Sequence, residues 1–185
     1  MYDKNKTTKE EICDYWFSRI DESEFSVDAS EASERCWRCG YKRNLERCHI
    51  IPKSLGGKDV PSNYVLLCRR CHLENPNVDD SEIMWDWLKA YKESFYDTFW
   101  INRALEEYEK IYRTKFENDI EPFEKHITSE EAKELINIDM KNLATNHFGQ
   151  SYLNSATIAG LMRILIKKLR VKFNIKENSS TESNI

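Results

Sequence analysis

The apolar positions of the chain change period as it is read from one end to the other. Ile12, Trp16 and Ile20 stand four apart behind Thr8, a residue suited to capping, which predicts an amphipathic helix over residues 8–20. Cys13 lies within that stretch and reads as a small apolar side chain of the core. Residues 21–35 are acidic, carry several serines and show no period, so they read as loop. Two short aliphatic or β-branched runs follow at 48–51 and 64–67, and these predict strands. Pro52, Gly56-Gly57 and Pro61 stand between them, making the connection too long for a tight hairpin. His72-Leu73-Glu74-Asn75 can then open a helix that Pro76 limits.

Beyond residue 80 the period is helical. Ser81 can cap a helix carrying Met84, Leu88, Tyr91 and Phe95, and a second stretch carries Ile101, Leu105, Tyr108, Ile111, Tyr112 and Phe116. Stripes of this kind read as core, packed against the preceding module and each other. Thr128-Ser129-Glu130-Glu131 has the pattern of a capping box and opens a predicted helix over 128–148, closed by Gly149. Ala132, Leu135, Ile136, Met140, Leu143 and Ala144 form its apolar face. The last predicted helix runs from about Ser155 to Phe173 and holds Arg163, Lys167, Lys168, Arg170 and Lys172 without an acidic residue. Helix, glycine turn and basic helix fit a DNA-reading helix-turn-helix. They also fit an α-hairpin whose basic face is solvated or pairs with acidic neighbours, and the hairpin is the simpler reading. Residues 174–185 read as a disordered tail.

Composition adds two things. With 185 residues, 40% hydrophobic and 12% aromatic, the chain can bury a core, and no apolar run approaches the roughly 18 residues that would suggest a membrane span. Met1-Tyr2-Asp3-Lys4 has no apolar stretch behind its charges, so no secretory signal is expected and the expected compartment is the reducing cytoplasm. The net charge of −4 at first argues against a nucleic-acid partner. Its distribution argues otherwise: residues 1–34 carry −6, residues 35–72 carry +7 and residues 73–185 carry −5. Arg47, Lys53, Lys58, Arg69 and Arg70 of the positive segment are candidate DNA contacts.

That segment also holds five of the six cysteines. Cys36-Trp37-Arg38-Cys39 and Cys68-Arg69-Arg70-Cys71 are two CxxC knuckles with 28 residues between them. In a reducing compartment such pairs read as ligands of a structural Zn²⁺ with no open coordination position. Basic rather than apolar flanks count against four buried reduced thiols. The residues between the knuckles therefore predict strand, polar loop, strand and short helix, pinned at both ends by zinc.

The cysteine pairs, His49-Ile50-Ile51-Pro52, Gly56-Gly57 and Asn63-Tyr64-Val65-Leu66-Leu67-Cys68 through His72 resemble the HNH endonucleases, the zinc-stapled branch of the ββα-metal or His-Me finger nucleases. The resemblance covers residues 36 to about 76, with 14 positions from His49 to Asn63 and 23 from His49 to His72. With the helical stretches read above, it makes an α+β, mostly helical protein with a small zinc-bound ββα-metal module at 36–80. A helix and acidic loop at 1–35 precede it, and a helical region at 81–173 and a tail at 174–185 follow. It also implies His49 as general base, Asn63 as the residue that holds the loop and orients His49, and His72 as ligand of a catalytic divalent ion, Mg²⁺ or Mn²⁺. The expected products are 5′-phosphate and 3′-hydroxyl ends on DNA.

One position departs from the family pattern. Many members carry an acidic residue or a histidine before the base, and here Cys48 stands there. A thiolate is a poor ligand for a hard ion. Three readings stay open: Cys48 is no ligand and His72 holds the ion, with Asn75 one helical turn on as a further ligand; Cys48 selects a softer ion; or the module binds without cutting. Glu74 is a lesser substitute for Asn75. The function expected is a metal-dependent DNA endonuclease, with a non-catalytic zinc-stabilised DNA-binding or interaction module as alternative; RNA cleavage would use the same chemistry. One module cuts one strand per encounter, so a homodimer is one route to double-strand cleavage, with the aromatic-rich helices at 84–116 as its expected interface.

Overall fold

The structure is a computed structural model that describes residues 7–131, 134 and 153–175. The chain divides into two compact units, Met1–Phe99 and Trp100–Ile185. Among the described residues no helix is long and apolar enough to cross a membrane.

The first unit is built on two short strands. Helix α1 (Lys9–Phe17) opens on the capping box that Thr8 and Glu11 make: Glu11 N–H donates to Thr8 Oγ1 at 3.2 Å and Thr8 N–H to Glu11 Oε2 at 2.7 Å. It stops three residues short of the predicted end, where the Ser18 hydroxyl turns back onto the carbonyls of Asp14 and Tyr15. Ile12 is fully buried, and the Trp16 indole N–H donates to the Tyr64 carbonyl at 2.8 Å, fastening the helix to the sheet. Cys13, expected in the core, is half-buried because it sits one step round the helix from the Ile12 face; burial still pushes its thiol up to about 11.

Strands β1 (Leu45–His49) and β2 (Tyr64–Cys68) pair antiparallel, with Glu46 opposite Leu67 and His49 opposite Tyr64. The first strand lies three residues earlier than its apolar run. Ile50 and Ile51 leave the ladder because their N–H groups go to Asn63, one to its carbonyl and one to its side-chain oxygen, both at 2.9 Å. All five residues of β2 are buried, which explains its unbroken apolar run. Helix α2 (Arg69–Leu73) follows at once, and α3 (Ser81–Ala90), capped by Asp80 rather than by Ser81, buries Met84 and Leu88. The predicted stripe of α3 is cut short: the chain leaves the helix at Tyr91, Glu93 N–H is taken by Ser26 Oγ, and Phe95 is 76% exposed.

The second unit contains α4 (Phe99–Tyr112) from Trp100 onward, α5 (Phe116–Ile120) and α6 (Ser155–Phe173). Ala104 and Tyr108 pack on Ala159 and Met162, and Phe123 packs on Leu165, Ile166 and Leu169. The single helical stretch expected through Phe116 is broken at Arg113, whose φ of 57° ends α4. Asp119 accepts from the Tyr108 hydroxyl at 2.6 Å and from Arg163 at 2.9 Å, with Arg170 at 3.7 Å. Two of the five basic residues of α6 are thus spent inside the unit. Met84, Leu88, Ala104 and Tyr108, from the stretch expected to offer a dimer interface, are interior, so that stripe supports no dimer. The remainder of the helix predicted at 128–148, and with it the helix-turn-helix or hairpin, lies outside the described residues, as does the tail from 176.

Candidate functional site

Local turns bring the first knuckle together. Gly40 N–H donates to the Cys36 carbonyl at 2.8 Å, and Gly40 takes a φ of 70°, which a side chain disfavours. Trp37 N–H donates to the Leu66 carbonyl at 3.0 Å, which lays this knuckle on β2. The second knuckle is the end of β2 itself: Cys68 precedes α2 and Cys71 lies within it. The sulfurs of Cys36, Cys39, Cys68 and Cys71 lie within 4.8 Å of one another and all four residues are buried. Cys39 and Cys68 are 4.0 Å apart, close to the edge of about 3.8 Å that four Zn–S bonds of about 2.3 Å would give. Mutual hydrogen bonds divide the protons unevenly. Cys36, Cys39 and Cys71 hold the Cys68 thiol far below the ordinary range, whereas Cys36, Cys39 and Cys68 push Cys71 up. Four crowded soft donors, all buried, fit a structural metal such as zinc.

Three of the segment's arginines face inward. Arg38, between the first two cysteines, is 5% exposed, reaches Glu74 at 2.5 Å and lies over the rings of Trp87, Tyr91 and Phe99. Arg35 binds Glu31 at 2.9 Å and covers the Tyr96 ring. Arg70, expected on DNA, is 11% exposed and lies 3.9 Å from Glu74, because its position in α2 turns it inward. Arg47 donates to the Thr7 carbonyl at 2.6 Å. Lys53, Lys58 and Arg69 remain on the outside, with Lys53 72% and Arg69 71% exposed.

His49 ends β1 with its side chain 27% exposed. Its Nε2 lies 2.9 Å from Asp59 Oδ1, and its ring stacks obliquely on Tyr64, centroids 4.4 Å apart. Asp59 also accepts from Lys53 Nζ at 2.8 Å and from the Tyr64 hydroxyl at 2.6 Å. Those contacts, Lys53 foremost, hold its carboxyl well below the usual carboxylate range. Burial and the Asp59 anion push Tyr64 up to about 12. Asn63 closes the loop: its amide nitrogen donates to the carbonyls of Ile51 and Lys58, both at 3.0 Å, and its oxygen accepts from Ile51 N–H. Its side chain bonds to Ile51 and Lys58 rather than to His49 itself, and so holds the turn that follows His49. Gly57 packs so tightly there that a Cβ would fall 1.8 Å from the Ile51 carbonyl.

His72, on α2, lies with Nδ1 2.7 Å from Glu46 Oε2. Asn75 does not share its helix face: α2 ends at Leu73, and the Asn75 amide donates to the Pro76 carbonyl at 2.8 Å. Glu74 is committed to Arg38 and Arg70. Cys48 is 1% exposed, and burial pushes its thiol up to about 12. The two residues that reading the sequence missed, Glu46 and Asp59, are the only acidic residues between 35 and 72, and each meets one of that segment's two histidines. Their isolation in a basic segment was the available signal.

Two strands, a short helix and a four-thiolate cradle define a zinc-fitted ββα module. Residues 34–77 match the family model of the HNH endonuclease, as the motifs there suggested. No curated protein and no solved structure matches the chain.

Proposed function

We propose that the protein is a metal-dependent DNA endonuclease with His49 as general base. The observation that carries this reading is the His49–Asp59 contact at 2.9 Å, on a part-exposed strand end inside the HNH match. A carboxylate that accepts from Nε2–H leaves Nδ1 with the lone pair, and that nitrogen takes the proton from an attacking water. Asp59 and the Tyr64 ring keep the imidazole from rotating, and Asn63 holds the turn that places it. Lys53 and Lys58 stand exposed on the same loop, suited to the phosphates flanking the scissile bond. His72 would hold the catalytic ion, which when bound supplies charge stabilisation at the scissile phosphate and the leaving oxygen. The four cysteines would hold Zn²⁺ that folds the module and takes no part in the reaction.

The buried Cys48 supports a second reading, a zinc-stabilised DNA-binding module that does not cut. Supercoiled plasmid incubated with Mg²⁺ or Mn²⁺ separates the two. The nuclease converts it to nicked or linear forms and stops when EDTA removes the loosely held ion, whereas binding alone leaves the plasmid supercoiled under every ion.

A further inference from the structure

The family's usual partner to His72 is missing from position 48, yet a carboxylate stands beside His72. We infer that Glu46, together with His72, is a divalent-cation site of this chain, the ligand having moved two residues back along β1. Successive side chains of a strand alternate faces, so residues 46 and 48 share one. On that face Cys48 is closed off at 1% exposure with Sγ 3.6 Å from the His49 carbonyl, and Glu46 is open. Glu46 and His72 are 34% and 33% exposed, enough for an ion and its waters to reach them. Their donor atoms lie 2.7 Å apart. Two neighbouring ligands of an octahedral ion with bonds of about 2.1 Å stand about 3.0 Å apart, so a small adjustment seats a cation between them. Arg69 approaches Glu46 no closer than 3.6 Å and is 71% exposed, so it can turn away to a phosphate.

The donor set states the class of ion. One carboxylate oxygen and one imidazole nitrogen suit Mn²⁺ better than Mg²⁺, which keeps to oxygen ligands, and affinity should rise from Mn²⁺ through Co²⁺ to Ni²⁺. The ordinary alternative is a hydrogen bond that merely ties β1 to α2. The inference rests on the nuclease reading for the purpose of the ion and not for its binding.

The test is a titration of the zinc-loaded full chain with Mn²⁺, following the loss of the free-ion paramagnetic resonance signal. One saturable site is expected in the wild type. Glu46→Gln and His72→Gln should each weaken it by roughly tenfold or more, while Cys48→Ala changes it less than about twofold. Zinc content and near-ultraviolet circular dichroism report whether each variant is folded. Should Glu46→Gln lose its zinc, Glu46→Asp keeps the charge and shortens its reach, and the same weakening is expected. A wild type without a saturable site, wild-type affinity in the folded Glu46 variant, or loss confined to Cys48→Ala overturns the inference. Glu46-dependent Mn²⁺ binding with an intact plasmid would retain this site and overturn the nuclease reading. Plasmid cutting with Mn²⁺ affinity insensitive to Glu46 would do the reverse.

Discussion

The four-cysteine cradle and the histidine pair occupy the same ββα module but are built by opposite rules. The cradle uses four identical soft donors, all buried, supplied by two tight turns. The histidine centre mixes imidazoles with carboxylates, leaves its side chains a quarter to a half exposed, and draws Asp59 and Glu46 from 10 and 26 residues away. A closed donor set can only stabilise, since nothing else can enter it. An open, hydrated pairing of imidazole with carboxylate is what proton transfer requires. On the proposed reading the cradle carries the stability and the histidine centre the chemistry, and each half can be attacked separately.

The largest effect belongs to the cradle. Cys68→Ser, or stripping zinc with a strong chelator, should unfold the Met1–Phe99 unit, because binding of a structural zinc is worth about 10–16 kcal/mol to small modules of this kind. Circular dichroism with a zinc count checks it, and a folded, zinc-free unit would put the stabilising role in doubt. Next comes Arg38→Ala, which removes a cation held by Glu74 and three aromatic rings. Since Glu74 is itself 43% exposed, the cost should be about 2–3 kcal/mol in denaturant unfolding rather than that of a fully buried pair.

At the histidine centre, Asp59→Ala should lower kcat roughly 10- to 100-fold with KM nearly unchanged, and should cost about 1 kcal/mol of stability or somewhat more through the Tyr64 bond it removes. A loss of stability with no change in kcat would make Asp59 a structural residue. The smallest effect is that of Tyr64→Phe, about 1 kcal/mol for one hydrogen bond to a charged acceptor. Tyrosine titration by ultraviolet difference should show a component near pH 12, shared with Tyr108, that loses about half its amplitude in this variant. Because the folded protein holds that proton more tightly than the unfolded chain does, the contact contributes fully below the ordinary tyrosine range near 10 and fades as pH rises through about 12.

How much of this was legible in the sequence depends on how local each feature is. The CxxC knuckles, the Thr8 cap and the burial of β2 follow from neighbouring residues, and the structure has them where spacing put them. The edges of β1 did not follow: Ile50 and Ile51 look like strand, but Asn63, a dozen residues on, takes their N–H groups. Arg70 looked like a DNA contact because charge counts carry no direction; only the fold turns it inward. Asn75 failed as a neighbour of His72 because α2 is shorter than one more turn. Glu46 and Asp59 stayed hidden because the pairs they form are made by strand register and loop closure, which no local motif encodes.

The central claim is that the open centre cuts DNA through His49, and the rate of plasmid conversion by His49→Ala against wild type, at equal zinc content and in Mn²⁺, tests it most directly. A loss of about 10²- to 10⁴-fold is expected with the fold and zinc intact; cutting by His49→Ala at the wild-type rate would rule His49 out as the base.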